Sequence, residues 1–283
     1  MASNKTLTEP GAISFKNLLL GASLTHITDE DPKYPARNLI NPSPGEKYRT
    51  RWKMDTNTGY FRVAFKLKES ASPTMLGIIR SNITATDANW VRLTGSNNAD
   101  FSSTNVTFDT FPYYDGHNNI WLYYIDTDNP TSGTYDSYLY WAFDFYPNDD
   151  GLVSAESYYE FGTLWLGTYS TMGVAYGAAA SLTDSSARTT TKGGVITAGS
   201  VNPYYEGRIS LKDRPRTERQ AIMDSFRDYG HSGRIVVDVE SNNSTPGIRG
   251  HGQYYCKLDD TMRNKHLYDG ISDLDIKFSE VPT

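Results

Sequence analysis

The chain has 283 residues, of which 38% are apolar, 21% charged and 13% aromatic, and its formal net charge is -6. That length suits one large domain or two ordinary ones, and the supply of aromatic residues excludes a chain of disordered type. The single cysteine, Cys256, excludes a disulfide framework and a cysteine-based zinc site. No apolar run approaches the roughly 18–20 residues that span a bilayer. No h-region follows Lys5 and Glu9, so a signal peptide is not expected. These features together predict a soluble chain folded in a reducing compartment.

The charge is unevenly spread. Residues 1–92 hold 13 Lys/Arg and 8 Asp/Glu, whereas residues 93–187 hold 12 acids and no Lys or Arg. Residues 188–283 are nearly balanced, with 14 basic and 13 acidic side chains. Nucleic-acid affinity comes from Lys and Arg neutralising phosphates, so the middle stretch argues against a nucleic-acid partner. It leaves a solvated acidic face, a basic partner surface or divalent cations as readings.

Alternation of period two dominates the first half of the chain. Phe61, Val63, Phe65 and Leu67 share one face, as do Val91 and Leu93, and then Leu139, Trp141, Phe143 and Phe145. Residues 75–79 and 161–166 are nearly continuous apolar runs, the pattern of strands buried on both faces. Turn-rich loops such as Asn41-Pro42-Ser43-Pro44-Gly45 and Asp126-Thr127-Asp128-Asn129-Pro130 separate them. The predicted organisation is an N-terminal extension over 1–12, a β-sandwich over 13–168, a small-residue linker or arm over 169–202, and a smaller α+β unit over 203–283. In that last unit strands are expected over 204–211, 234–239, 253–258 and 273–281. A helix capped by Thr217-Glu218-Arg219-Gln220 and bearing Ile222, Phe226 and Tyr229 lies between the first two.

Catalytic patterns are sparse. A P-loop is absent, and the glycine-rich stretch 247–252 lacks the strand–turn–helix setting of a dinucleotide site. Gly230-His231-Ser232-Gly233-Arg234 misses the nucleophile-elbow pattern at its last position. The five histidines have no i, i+2 or i, i+4 partner, so a histidine metal site is not predicted. Asp149, Asp150, Glu156 and Glu160 could supply the two carboxylates of a glycoside hydrolase, but spacing along the chain gives no distance between them. The chain is therefore expected not to be an enzyme.

Two loops carry oxygen ligands of the kind calcium takes: Asp29 with Asp31, and Asp126 with Asp128. Calcium at these four residues is the one exception to an expectation of no cofactor. For a glycan ligand the candidates are Tyr113, Tyr114, His117 and Trp121, which flank the Asp115–Asn119 turn. Aromatic faces beside amides and carboxylates grip sugar rings by stacking and a few oriented hydrogen bonds. The competing reading places these aromatics in strands and the core.

Ala36-Arg37-Asn38-Leu39-Ile40, then Arg51-Trp52, then the strand at 61–67 resemble the opening of discoidin-type, galactose-binding-like jelly rolls. Residues 75–82, the stretch from Trp90 to Asn97, and residues 138–145 and 161–167 resemble the strands that follow in that family. Where the family often has an acidic residue ahead of its Trp segment, this chain has Asn41-Pro42-Ser43-Pro44. The resemblance covers about residues 13–168 and implies a carbohydrate-binding-like sandwich. The whole arrangement also resembles minor tail or tail-tip proteins of tailed bacteriophages, through the basic capped helix at 214–230, the strand at 234–239 and the ending Phe278-Ser279-Glu280-Val281. That second resemblance implies a virion structural protein, made in the host cytoplasm and placed in the tail. Its partners would be other tail proteins, copies of itself and a host surface glycan, with no nucleic acid and no membrane insertion. The alternative is a free-standing adhesin module for such a glycan.

Overall fold

A computed structural model describes residues 5, 7, 11–51, 60–82, 88–103, 105–110, 113–115, 120–147, 158–171, 179–183, 188–190, 196–198, 204–215, 220, 223–224, 227, 233–239, 248–249, 252–259, 263–268 and 271–281. Three sheets make up most of it, with a separate two-stranded hairpin.

The first sheet runs in the order β10 (Ser132–Gly133), β7 (Val106–Thr110), β6 (Ala88–Ser96), β11 (Tyr138–Pro147), β4 (Phe61–Ala71) and β2 (Ser23–Ile27). The second runs β19 (Ile248–Arg249), β8 (Tyr113–Asp115), β9 (Ile120–Tyr124), β5 (Met75–Ser81), β12 (Glu160–Gly167) and β3 (Tyr48–Arg49). The third runs β13 (Ser170–Thr171), β1 (Ala12–Ser14), β18 (Arg234–Asp238), β20 (Gln253–Leu258), β22 (Ile271–Glu280), β17 (Tyr204–Pro215) and β14 (Ala179–Thr183), with β21 (Arg263–Tyr268) also on β22. Pairing is antiparallel except between β19 and β8. The hairpin joins β15 (Arg188–Thr190) to β16 (Ile196–Ala198).

The first two sheets face each other as a sandwich. Phe61, Val63, Phe65 and Leu67 of β4 and Val91 and Leu93 of β6 meet Leu76, Ile78, Trp121, Tyr123, Leu164 and Leu166 of the second sheet in one core. Four aromatic rings, Phe61, Phe145, Tyr159 and Phe161, lie with centroids 5.2–6.1 Å apart at one end of it. Each fully buried side chain of this size contributes about 1.5–3 kcal/mol, so the alternation in the sequence is the main determinant of the sandwich. In β11 the phase differs from that expected. The register shifts between Tyr138 and Tyr140, so Tyr138 rather than Leu139 enters the core, edge-on to Trp141 at 5.8 Å.

The second sheet is a middle layer. Its other face carries Met75, Ile79, Ile120, Leu122, Tyr124 and Trp165, which pack against Ala12, Val236 and Tyr255 of the third sheet. This explains why residues 75–79 and 161–166 are apolar without alternation: both faces are covered. The far face of the third sheet has its own core of Ile13, Ile209, Leu211, Ile235, Val237, Cys256, Leu274, Ile276 and Phe278 among others, against which Met223 packs. Gln220, Met223, Asp224 and Arg227 are helical, with Gln220 bonded to Asp224 four residues on. Ile222, Phe226 and Tyr229 lie outside the described residues.

The expected mainly β architecture with a β-sandwich is what the structure holds. The segments join differently from the sequence reading. Residues 12–14, which straddle the expected boundary between the N-terminal extension and the sandwich, form β1 and pair with β18 in the third sheet. β13, just past the sandwich, pairs with β1 from the other side. Conversely β19, from the C-terminal part, pairs with β8 in the sandwich. Polar contacts seal the joint: the Trp165 indole donates to Ser14 Oγ at 2.9 Å, Tyr124 to Asp238 at 2.7 Å and Tyr255 to the Pro42 carbonyl at 2.8 Å. Arg80, in the left-handed region at φ 58, donates to the Val281 carbonyl.

Candidate functional site

The outward face of the first sheet carries a row of opposed charges. Antiparallel registers set Arg62 of β4 opposite Asp144 of β11, Asp144 opposite Arg92 of β6, and Arg92 opposite Asp109 of β7. Each residue is the outward member of an alternating strand, next to buried Phe61, Phe143, Val91 and Phe108. Arg62 donates from Nε and Nη2 to both oxygens of Asp144, at 2.6 and 2.6 Å. Arg92 holds Asp109 in the same way at 2.6 and 3.0 Å. Such forked pairs are the strong form of charge-assisted hydrogen bond. The Asp144 carboxylate has no exposed surface. Burial is the largest influence on its pKa and pushes it up, against the Arg62 bonds that pull it down. Hydrogen bonding to the carboxylates holds both guanidinium pKa values above the ordinary arginine value.

Beside this row stands a tyrosine pair. The rings of Tyr60 and Tyr146 lie 4.9 Å apart, tilted at 32°, within the range of a favourable aromatic pair. Arg62 approaches the Tyr60 ring at 5.4 Å and Arg92 the Tyr146 ring at 5.5 Å. Tyr146 is half-buried, and its hydroxyl pKa is pushed up to about 12, mainly by desolvation. Tyr60 is 37% exposed and is the one exposed large hydrophobic among the described residues. The arrangement offers an aromatic surface held rigid from behind, with fixed donors and acceptors alongside it.

A second polar cluster ties loops to the middle sheet. Glu160 accepts from Lys47 at 2.5 Å and from Arg49 at 2.7 Å. The Arg49 guanidinium lies between the rings of Tyr34 and Tyr158, at 4.0 and 3.9 Å. Burial opposes ionisation of Glu160, but the Lys47 and Arg49 bonds outweigh it and hold the carboxyl below the usual range. That is the wrong direction for a general acid. Asp149, Asp150 and Glu156 lie outside the described residues.

The sequence-predicted sites fall differently. Trp121 is 4% exposed and sits in the sandwich core, with its indole donating to Ser81 Oγ at 3.1 Å. It is therefore not an open platform for a sugar, because the five-residue apolar strand β9 carries it between two sheets. Tyr113 and Tyr114 are strand residues of β8, opposite Leu122 and Trp121, and His117 lies outside the described residues. Of the calcium candidates, Asp29 accepts from the Arg51 amide at 2.7 Å and Asp31 from the Lys33 amide at 2.9 Å. Asp126 accepts from the Asp128 amide and from the Asn129 side chain, and Asp128 lies 3.9 Å from Lys5. The bonds of Asp31 and Asp126 to the amides two residues on are Asx turns, whereas Asp29 and Asp128 tie their loops to distant segments at Arg51 and Lys5. Among the described residues no group of three or more His, Cys, Asp or Glu could hold a metal ion, and no helix is long and apolar enough to cross a membrane.

Part of the acid-only stretch finds counter-charges within the chain. Asp109, Asp144 and Glu160 pair with Arg92, Arg62, and Lys47 with Arg49, all from the basic first 92 residues.

No family model and no curated protein matches the chain. Solved structures similar to it include a mutant of chitosan-binding module 1 from a chitosanase/glucanase of Paenibacillus sp. IK-5, at 11% identity over 54% of this chain and 98% of that one, with a TM-score of 0.37. The family 32 CBM of C. perfringens NanJ, in complex with galactose, is similar at 10% identity over 56% and 99%, with a TM-score of 0.37. The lectin domain of lectinolysin, complexed with Lewis B antigen, is similar at 8% identity over 54% and 96%, with a TM-score of 0.36.

Proposed function

We propose that this chain is a non-catalytic carbohydrate-binding protein whose sandwich presents the ligand surface. The observation that carries the reading is the exposed Tyr60 ring backed by Tyr146 on the outward face of the first sheet. Sugar rings bind by apolar stacking on such a surface, completed by a few oriented polar groups, and Arg62, Arg92 and Asp109 stand beside it. A glycan array followed by titration tests the reading. Tyr60→Ala is expected to weaken the best glycan about tenfold, in line with the roughly 1 kcal/mol or more that an aromatic contact contributes. The far-UV spectrum should not change, because the ring is outside the core. Equal binding by wild type and Tyr60→Ala would remove this surface from consideration.

A finer reading places the protein in the tail of a tailed bacteriophage, as a structural component that displays the sandwich outward. The β15–β16 hairpin supports it: among the described residues these strands are in a sheet of their own. A two-stranded hairpin is marginal alone in water and gains stability on a neighbouring surface. Mass spectrometry of purified particles tests this reading, together with the mass of the purified chain in solution. A strictly monomeric chain absent from particles would overturn it.

A further inference from the structure

We propose that the Tyr60 surface selects uncharged saccharides and turns acidic ones away; this rests on the carbohydrate reading above and names the ligand class of that same surface. The two arginines beside the tyrosines would by themselves suggest an acidic ligand, since a guanidinium fork matches a carboxylate or sulfate. Both forks are already occupied. Arg62 is engaged through Nε and Nη2 by Asp144, and Arg92 by Asp109. The row Arg62, Asp144, Arg92, Asp109 thus sums to no formal charge.

An incoming anion that took the Nε/Nη2 fork of either arginine would have to dismantle this row. Freeing Arg62 strands Asp144, which is wholly buried, and a buried charge stripped of its partner is strongly unfavourable. Freeing Arg92 leaves Asp109 facing the anion. A sugar hydroxyl has no such conflict, because it both donates and accepts. It can add to the outer edges of the paired groups and leave the pairs intact.

The test uses the full chain and named probes at low ionic strength, followed by saturation-transfer NMR and titration. The uncharged set is methyl galactoside, N-acetylglucosamine and maltotriose; the acidic set is N-acetylneuraminic acid, galacturonic acid and glucose 6-sulfate. Wild type should bind from the first set and none of the second. Asp109→Asn, which releases Arg92 from its fork, should gain affinity for an acidic probe by a few-fold to about tenfold, and added salt should reverse the gain. Asp109→Ser serves if the first variant fails to fold. Acidic probes binding to wild type with dependence on Tyr60 would overturn the inference and leave the carbohydrate reading standing. So would a folded Asp109 variant with no gain. Binding of no saccharide from either set would overturn both.

Discussion

The Tyr124 hydroxyl donates a 2.7 Å hydrogen bond to the buried carboxylate of Asp238. It is one of the few polar contacts in an apolar seam, and it joins the middle sheet to the third. Tyr124→Phe removes a donor from a charged acceptor, and the expected loss is about 1–3 kcal/mol. Because the seam shares a core with both sheets, urea unfolding should remain one transition with a lower midpoint and an unchanged slope. Two transitions, only one of them displaced, would show that the sandwich and the third sheet unfold separately.

Glu160 gives a pH-dependent prediction. Its folded-state pKa lies below the ordinary carboxylate value of 4.5. Its contribution is therefore fully present above that value and is lost as pH falls through the lower, folded-state one. At neutral pH Glu160→Gln should destabilise by about 1–3 kcal/mol, since Lys47 and Arg49 are only partly buried and regain some hydration. Urea midpoints for wild type and variant should converge as the pH is lowered below 4.5. A constant difference down to strong acid would contradict the assignment.

The Arg62–Asp144 pair should behave as a coupled unit. Asp144→Ala leaves a half-buried guanidinium without its fork and is expected to lose about 3 kcal/mol. The double variant Arg62→Met with Asp144→Leu should lose less than the single one, because no charge is then stranded. Thermal or urea unfolding of the full cycle measures the coupling.

Gly133 turns the chain at the β10 edge with φ at +80, and a β-carbon there would collide with the Asn105 carbonyl. Gly133→Ala combines that clash with an unfavourable left-handed backbone, and a loss above about 2 kcal/mol is expected. The damage should be local first. The amides of Thr131 and Thr134, bonded to the carbonyls of Thr107 and Asn105, should exchange faster with solvent than those of β4 or β11.

Much of the fold was legible because burial on a sheet leaves a short-range imprint. Phe61 to Leu67 and Leu274 to Phe278 alternate in the sequence and alternate in the structure. The apolar runs at 75–79 and 161–166 foretold burial on both faces, though not which layer would cover the second face. The shift at Leu139 was not legible, since a bulge is set by pairing with β4 rather than by local pattern. β21 escaped because Arg263, Asn264, Lys265 and His266 carry no apolar alternation. Trp121 was misplaced because its neighbouring turn residues outweighed the run Ile120-Trp121-Leu122-Tyr123-Tyr124, which is all apolar or aromatic. The row from Arg62 to Asp109 and the Tyr60–Tyr146 pair depend on register between residues up to 86 apart in the chain. Each member looked like an ordinary outward polar residue, and nothing local names its partner.

Ala12 and Thr171 face each other across the β1–β13 ladder, and every strand of the sandwich except β19 is strung between those two points. Geometrically it is a cassette: a module that leaves and rejoins its host sheet at adjacent residues can be exchanged by recombination without re-routing the host's own strands. The condition for a successful swap is written on the hidden side of the middle layer. Any replacement must bring an apolar surface equivalent to Met75, Ile79, Leu122 and Trp165 to lay over Val236 and Tyr255, while its outward face is left to vary with whatever it must recognise.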